Sequence, residues 1–269
     1  MPGRRPSAGG AAIVPAPLPG MADGTAGEAP ADWAPAPAPG AVASRAADVR
    51  RRIAAAGGDP DAVRLVAVTK GFGPAAVLAA VAAGITDVGE NYAAELRAKA
   101  AGLAAGGAPV GATAGVRWHY LGAVQRRSVR SIAGLVALWH GLCRVEEGEA
   151  IAAASPGAPV LVQVELTGLP GRRGVAPGEV PGLVDGLRGT GVRPVGVMAI
   201  GVPGDPEATR RVFGEAAAVA RGCGLAELSI GMSDDLELAV AAGATMVRVG
   251  RAIFGDRPPR RPPGGLPAK

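Results

Sequence analysis

Lys70 closes the run Val63–Lys70, VRLVAVTK, and Gly71 and Gly73-Pro74 follow it at once. The valine-rich middle of that run predicts a strand buried on both faces. An ammonium at the end of such a strand is costly to desolvate unless it is paired or gives up its proton. At the C-terminal end of a parallel barrel strand, Lys70 would point to the place where barrel enzymes keep their sites. A lysine that has simply reached solvent accounts for the stretch equally well.

Four more stretches carry candidate chemistry at expected strand ends. Gly89-Glu90-Asn91-Tyr92 reads either as a turn with Asn91 capping the next helix or as polar side chains around whatever Lys70 holds. In Trp118-His119-Tyr120-Leu121-Gly122, the histidine sits in an apolar run, which favours a packing or ligand-packing role over acid–base work. Met198, in Gly196–Ile200, is packing material or one wall of a pocket for a flat ring. The run from Ser229 to Gly255, SIGMSDDLELAVAAGATMVRVGRAIFG, is the most specific. In it Ser233 ends a strand, Asp234-Asp235 open a helix at its favourable end, and Arg248 lies in the last strand. Gly250-Arg251 then lead into a last helical turn. Barrels commonly bind phosphate in the loops after strands seven and eight, on backbone N–H groups, with glycine permitting close approach. A lysine able to form a Schiff base, opposite a phosphate cradle, points to pyridoxal phosphate.

Those residues need a scaffold, and the chain alternates accordingly. Strand-like runs are Val63–Lys70, Asp87–Glu90, Trp118–Gly122, Leu135–Leu142, Val160–Leu166, Arg193–Ile200, Glu227–Ser233 and Thr245–Gly250. Helical stretches lie between most of them, from Pro74–Ala83 to Asp234–Ala242, and ASRAADVRRRIAAAG from Ala43 precedes them. Eight strands alternating with helices predict an α/β fold, a single closed (β/α)8 barrel of the TIM type, over residues 43–257. An open doubly wound sheet is the alternative, although no Gly-x-Gly-x-x-Gly follows the first strand. Residues 1–42 are expected to be a disordered Pro/Ala/Gly-rich arm, Gly106–Gly115 a surface loop, and 258–269 a basic Pro-rich tail.

Composition narrows the function classes. The formal charge of +5 is spread in small arginine clusters without interleaved aromatics, which argues against nucleic acid. Two distant cysteines, Cys143 and Cys223, and two histidines advertise no metal site and fit a reducing cytoplasm. No apolar run reaches membrane-spanning length, and prolines interrupt the stretch after Arg4-Arg5, so no targeting segment is expected.

VAVTK, GENY, WHYLG, GVMAI and GMSDDLELAVAAGATMVRVGRAIFG resemble the pyridoxal phosphate homeostasis protein family, which shares the barrel of the alanine racemase N-terminal domain. The resemblance covers roughly residues 45–257. It implies that Lys70 carries pyridoxal 5'-phosphate as a Schiff base, that Ser233 and the backbone of Gly250 and Arg251 hold the phosphate, and that Arg248 faces the pyridine nitrogen. Asn91, His119 and Met198 line the ring pocket by the same carry-over. The chain departs from the family at Arg251 (usually Thr or Ser), at Gln125-Arg126-Arg127-Ser128 (usually Gln-Ser-Asn-Lys), at Glu165 (usually Asn) and at Cys143 (usually Asp). Arg172 keeps the charge of a usual lysine.

Two functions compete on this reading: a fold-type III amino-acid racemase, and a carrier in vitamin B6 homeostasis that holds the cofactor without fast catalysis. Racemases of this fold need a second β domain, and the residues after Gly255 leave no room for one. Their second base is a tyrosine, and Tyr92 and Tyr120 both lie in barrel motifs. An arginine at the ring nitrogen cannot accept a proton and leaves the ring a weaker electron sink. The carrier is therefore expected, as a cytoplasmic monomer with apoenzymes as possible recipients. An aldolase using Lys70 on a sugar phosphate is a third class.

Overall fold

The computed structural model describes residues 33–105 and 115–256. The expectations for residues 1–32, for Gly106–Gly115 except its last residue, and for the tail lie outside the described residues.

Eight parallel strands close a barrel in sequence order, each pairing with the next and β8 returning to β1. They are β1 Arg64–Val68, β2 Asp87–Glu90, β3 Arg117–Tyr120, β4 Val136–Leu142, β5 Pro159–Gln163, β6 Arg193–Met198, β7 Glu227–Ser229 and β8 Met246–Val249. Among the described residues the helices are α1 Pro39–Ala55, α2 Pro74–Ala82, α3 Ala93–Ala105, α4 Arg126–Ile132 and α5 Val145–Ala154. They continue with α6 Val180–Thr190, α7 Pro206–Gly222, α8 Leu236–Ala241 and α9 Arg251–Phe254. Proline opens α1, α2, α6 and α7 in the first turn, where its missing N–H costs nothing. Asp205 caps α7 by accepting from the Ala208 N–H at 2.8 Å.

The two-residue period of each strand divides the side chains between two cores. Outward residues such as Val88, Trp118, Tyr120, Trp139, Val247 and Val249 join the layer between barrel and helices. Val66, Leu138, Leu161, Met198 and Met246 fill the barrel interior. Residues on the same inward face as these include His140, two on from Leu138, and Arg248, two on from Met246.

Several boundaries differ from the sequence reading. The first helix starts ahead of Ala43: α1 begins at Pro39, and Val42 is fully buried. Before it, the Ala34 N–H donates to the Gly71 carbonyl at 2.9 Å, and the Trp33 ring packs where a side chain on Gly73 would lie. An apolar ring and a ladder-like bond therefore tie this segment to the loop after β1, which composition alone cannot show. The strands also stop short of their apolar runs, at Val68 rather than Lys70 and at Ser229 rather than Ser233. The residues beyond them leave the ladder to build the wall of a cavity.

Candidate functional site

That cavity lies at the C-terminal ends of the strands and has a volume of about 270 Å³. Lys70, Asn91, Met198, Ser233, Arg248, Gly250 and Arg251 all line it, together with Val68, Leu121, Ile200, Met232 and Asp234. A second cavity of about 280 Å³ shares Val68, Lys70, Gly250 and Arg251 and extends toward Phe72 and Asp256. Seven of the eight residues expected at the site thus meet at one place.

Lys70 is half-buried, and the residues on both sides of it are clamped. The Thr69 hydroxyl donates to Glu90 Oε1 at 2.5 Å, and the Thr69 carbonyl accepts from Lys99 Nζ at 2.7 Å. The Gly71 N–H donates to Glu95 Oε2 at 2.7 Å. Gly71 has a φ of 82°, which a glycine adopts without strain, so the chain can turn directly after the lysine. Lys99 is itself fully buried and ion-pairs with Glu90 and, at 3.5 Å, with Glu95. Burial raises the Glu90 carboxyl above its ordinary value, against the pull of Lys99. None of Lys99, Glu95 or Thr69 stood out in the sequence; the Glu95/Lys99 spacing of four on α3 was the available signal.

Asn91 follows Glu90 and brings an amide to the cavity. Its Oδ1 is a buried oxygen with no hydrogen-bond partner among the described residues. Its backbone is fixed by Gly122, where a Cβ would fall 2.0 Å from the Asn91 carbonyl oxygen.

Arg248 reaches the floor of the cavity from β8. Nη1 donates to the Ser229 carbonyl at 2.6 Å and to Ser229 Oγ at 2.8 Å, and Nη2 donates to the Ala199 carbonyl at 3.0 Å. Complete burial lowers its guanidinium to about 10, opposed by the field of Asp235. It therefore stays charged at neutral pH. Asp235 is fixed by accepting the Met232 N–H at 2.5 Å.

At the opposite wall, Ser233 Oγ accepts the Ala252 N–H at 3.1 Å, one of the first N–H groups of α9 that have no intrahelical acceptor. Arg52 of α1 holds the loop by donating to the Ser233 carbonyl at 3.0 Å while pairing with Glu237.

His119 is the exception among the expected residues. It does not line this cavity, because Leu121, two residues on and just past the end of β3, takes that position. His119 lies one layer deeper, 2% exposed, bonded to Asp87 and His140, and borders a cavity at the N-terminal mouth of the barrel instead. Arg251 lines the cavity, but its guanidinium pairs with Asp234. Of the departures, Glu165 accepts the Thr167 and Gly168 N–H groups at 2.6 and 3.0 Å and so orders its own turn. The Cys143 N–H donates to Glu147 at 2.7 Å. Neither residue, nor Ser128, borders the Lys70 cavity.

No group of His, Cys, Asp and Glu among the described residues could hold a metal ion. No helix among them is long and apolar enough to cross a membrane.

A closed eight-stranded barrel with a lysine after β1 and an arginine in β8 defines a class, and the family model for the alanine racemase N-terminal domain matches residues 40–258. Two relatives, from Deinococcus radiodurans and Pseudomonas aeruginosa, are each 38% identical, over 77% and 80% of this chain and 96% and 94% of their own length. Both are pyridoxal phosphate homeostasis proteins. The chain belongs to the pyridoxal phosphate homeostasis protein family. Among solved structures, PipY of Synechococcus elongatus with PLP bound is similar at 32% identity and a TM-score of 0.67, over 80% of this chain and 100% of that one.

Proposed function

We propose that this protein binds pyridoxal 5'-phosphate at the Lys70 cavity and serves as a carrier of the cofactor in vitamin B6 homeostasis. The observation that carries this reading is a convergence: the Lys70 amine, the buried Arg248 guanidinium and the unpartnered Asn91 Oδ1 border one cavity. The residues present fit the cofactor. Lys70 would hold its aldehyde covalently, Ser233 with the backbone of Gly250 and Arg251 its phosphate, Arg248 its ring nitrogen, and Asn91 and Met198 its ring. When bound, the cofactor supplies an aldehyde that condenses with amines and a ring that accepts electrons.

The protein's own groups favour holding over fast chemistry. Arg248 is donor-only, so it gives no proton to spare and takes none from the ring nitrogen, which leaves a weak electron sink. Neither tyrosine borders the cavity: Tyr92 is 51% exposed, and Tyr120 packs on Trp139 outside the barrel, its ring centroid 5.4 Å away. Neither tyrosine of the chain therefore stands opposite Lys70 as a second base. We place the protein in the cytoplasm as a monomer, on the strength of its two free cysteines and a site completed by one chain, with apoenzymes of the same cofactor as recipients.

Borohydride reduction of protein loaded with pyridoxal 5'-phosphate, followed by peptide mass spectrometry, should place the adduct on Lys70. A Lys70→Ala protein that still forms the adduct refutes the assignment. In an amino-acid racemisation assay, turnover above about 1 per second would overturn the carrier reading in favour of a racemase-like enzyme.

A further inference from the structure

Arg248 is a buried cation to which no carboxylate hydrogen-bonds among the described residues; its acceptors are the Ser229 and Ala199 carbonyls and Ser229 Oγ. Behind Ser229 the polar contacts continue through the barrel. His140 Nδ1 lies 3.1 Å from Ser229 Oγ, His140 Nε2 lies 2.9 Å from His119 Nδ1, and His119 Nε2 lies 2.7 Å from Asp87 Oδ1. Each of these side chains is buried. We propose that Asp87, His119, His140 and Ser229 are positioning residues that form one directed hydrogen-bonded line. It holds Arg248 from behind and ends at the far mouth of the barrel on the Asp87 carboxylate, which Arg117 also ion-pairs.

The direction follows from the two ends. Arg248 can only donate, so Ser229 Oγ accepts from it. Hydrogen bonds from His119 and Arg117 outweigh the burial that would raise the Asp87 carboxyl, so Asp87 is an acceptor at neutral pH. His119 must then donate from Nε2, which in a neutral ring leaves Nδ1 to accept. His140 donates to it from Nε2, and its own Nδ1 accepts the Ser229 hydroxyl proton. Burial, with the fields of Arg248 and Arg64, holds His140 far below its ordinary value, in keeping with a neutral ring. In this arrangement every donor meets an acceptor. If His119 instead carried both protons, His140 would have to donate to Ser229, whose hydroxyl proton would then lack an acceptor among the described residues.

The line thus runs Arg248 to Ser229 to His140 to His119 to Asp87, with aligned dipoles between a cation and an anion. Its consequence for the cofactor rests on the reading that Arg248 meets the ring nitrogen. A carboxylate bonded to Arg248 would compete for the N–H groups it presents to the cavity, whereas the neutral Ser229 hydroxyl holds the guanidinium from behind and leaves the remaining ones at the cavity.

The chain has two histidines, so long-range 15N–1H NMR of histidine-labelled protein without cofactor reads both rings directly. Both should be neutral with the proton on Nε2 at pH 7.5. A proton on Nδ1 of either ring overturns the proposal. Asp87→Asn can accept from or donate to His119, so an Nδ1–H form should appear in that variant. A fixed Nε2–H pattern there counts against a directing role for the carboxylate. Titration with pyridoxal 5'-phosphate should show Asp87→Asn and Ser229→Ala each binding roughly 3- to 10-fold more weakly. Wild-type affinity in both variants, folded by circular dichroism, defeats the positioning role. If wild-type protein shows both expected tautomers but no binding of pyridoxal 5'-phosphate, the functional reading fails and the line stands. Should Ser229→Ala not fold, the wild-type tautomers and Asp87→Asn still decide.

Discussion

Two buried polar systems support the same cavity from opposite sides, and they handle charge differently. Outside the barrel wall, Lys99, Glu90 and Glu95 put full charges in direct contact and clamp the backbone around Lys70. Inside the barrel, Arg248 and Asp87 are kept apart by Ser229, His140 and His119. The outer cluster faces no ligand, so its charges can neutralise one another at contact distance. Arg248 faces the cavity, and a contact partner would occupy the groups it presents there. Separation through neutral dipoles preserves both the burial and the availability of the cation.

The contrast is most exposed by removing Lys99. Lys99→Met leaves Glu90 and Glu95 buried without their cation and should cost about 3–5 kcal/mol in urea unfolding. The pH dependence has a definite sign. Burial raises the folded-state value of Glu90, so its contribution is fully present below the unfolded carboxylate value near 4.3 and is lost as pH rises through the folded value. Without Lys99 only the Thr69 hydrogen bond opposes that rise, so the deficit of the variant should widen from pH 5 to pH 8. A deficit that narrows over that range would contradict the pairing.

A cut in the neutral line should cost less. Ser229→Ala removes the donor to His140 and one of three acceptors of Arg248, and should destabilise by about 1–3 kcal/mol. A loss equal to that of Lys99→Met would erase the distinction between the two systems. Smallest of all is the exposed pair of Arg251 with Asp234. Arg251→Ser should leave the unfolding midpoint unchanged while placing a hydroxyl beside the residues proposed to hold the phosphate. Tighter binding of pyridoxal 5'-phosphate by this variant would show that the guanidinium does not replace the hydroxyl.

The barrel was legible because eight apolar runs recur between helical stretches, and that period survives errors of one or two residues at each end. Those errors have a shared cause: Ile200 and Met232 continue the apolar pattern of β6 and β7 but leave the ladder to wall the cavity. The lining of the candidate cavity was legible where its residues follow strand ends, as Lys70, Asn91, Ser233 and Gly250 do. His119 lies away from the cavity because depth inside a barrel depends on where along the strand the ladder ends, and Leu121 takes the cavity position after it.

The sequence by itself determined the alternation, the lysine after the first strand, the arginine in the last and the motif between Ser229 and Gly255, since each is a matter of local order and residue type. Only the tertiary structure decided that Trp33 docks near the Lys70 loop, that Lys99 pairs with Glu90, and that Asp87, 161 positions before Arg248, lies at the far end of its hydrogen-bonded line. Barrel closure is the physical reason. It brings side chains from β2, β3, β4, β7 and β8 into one interior, where partners are set by strand register and face and not by separation along the chain.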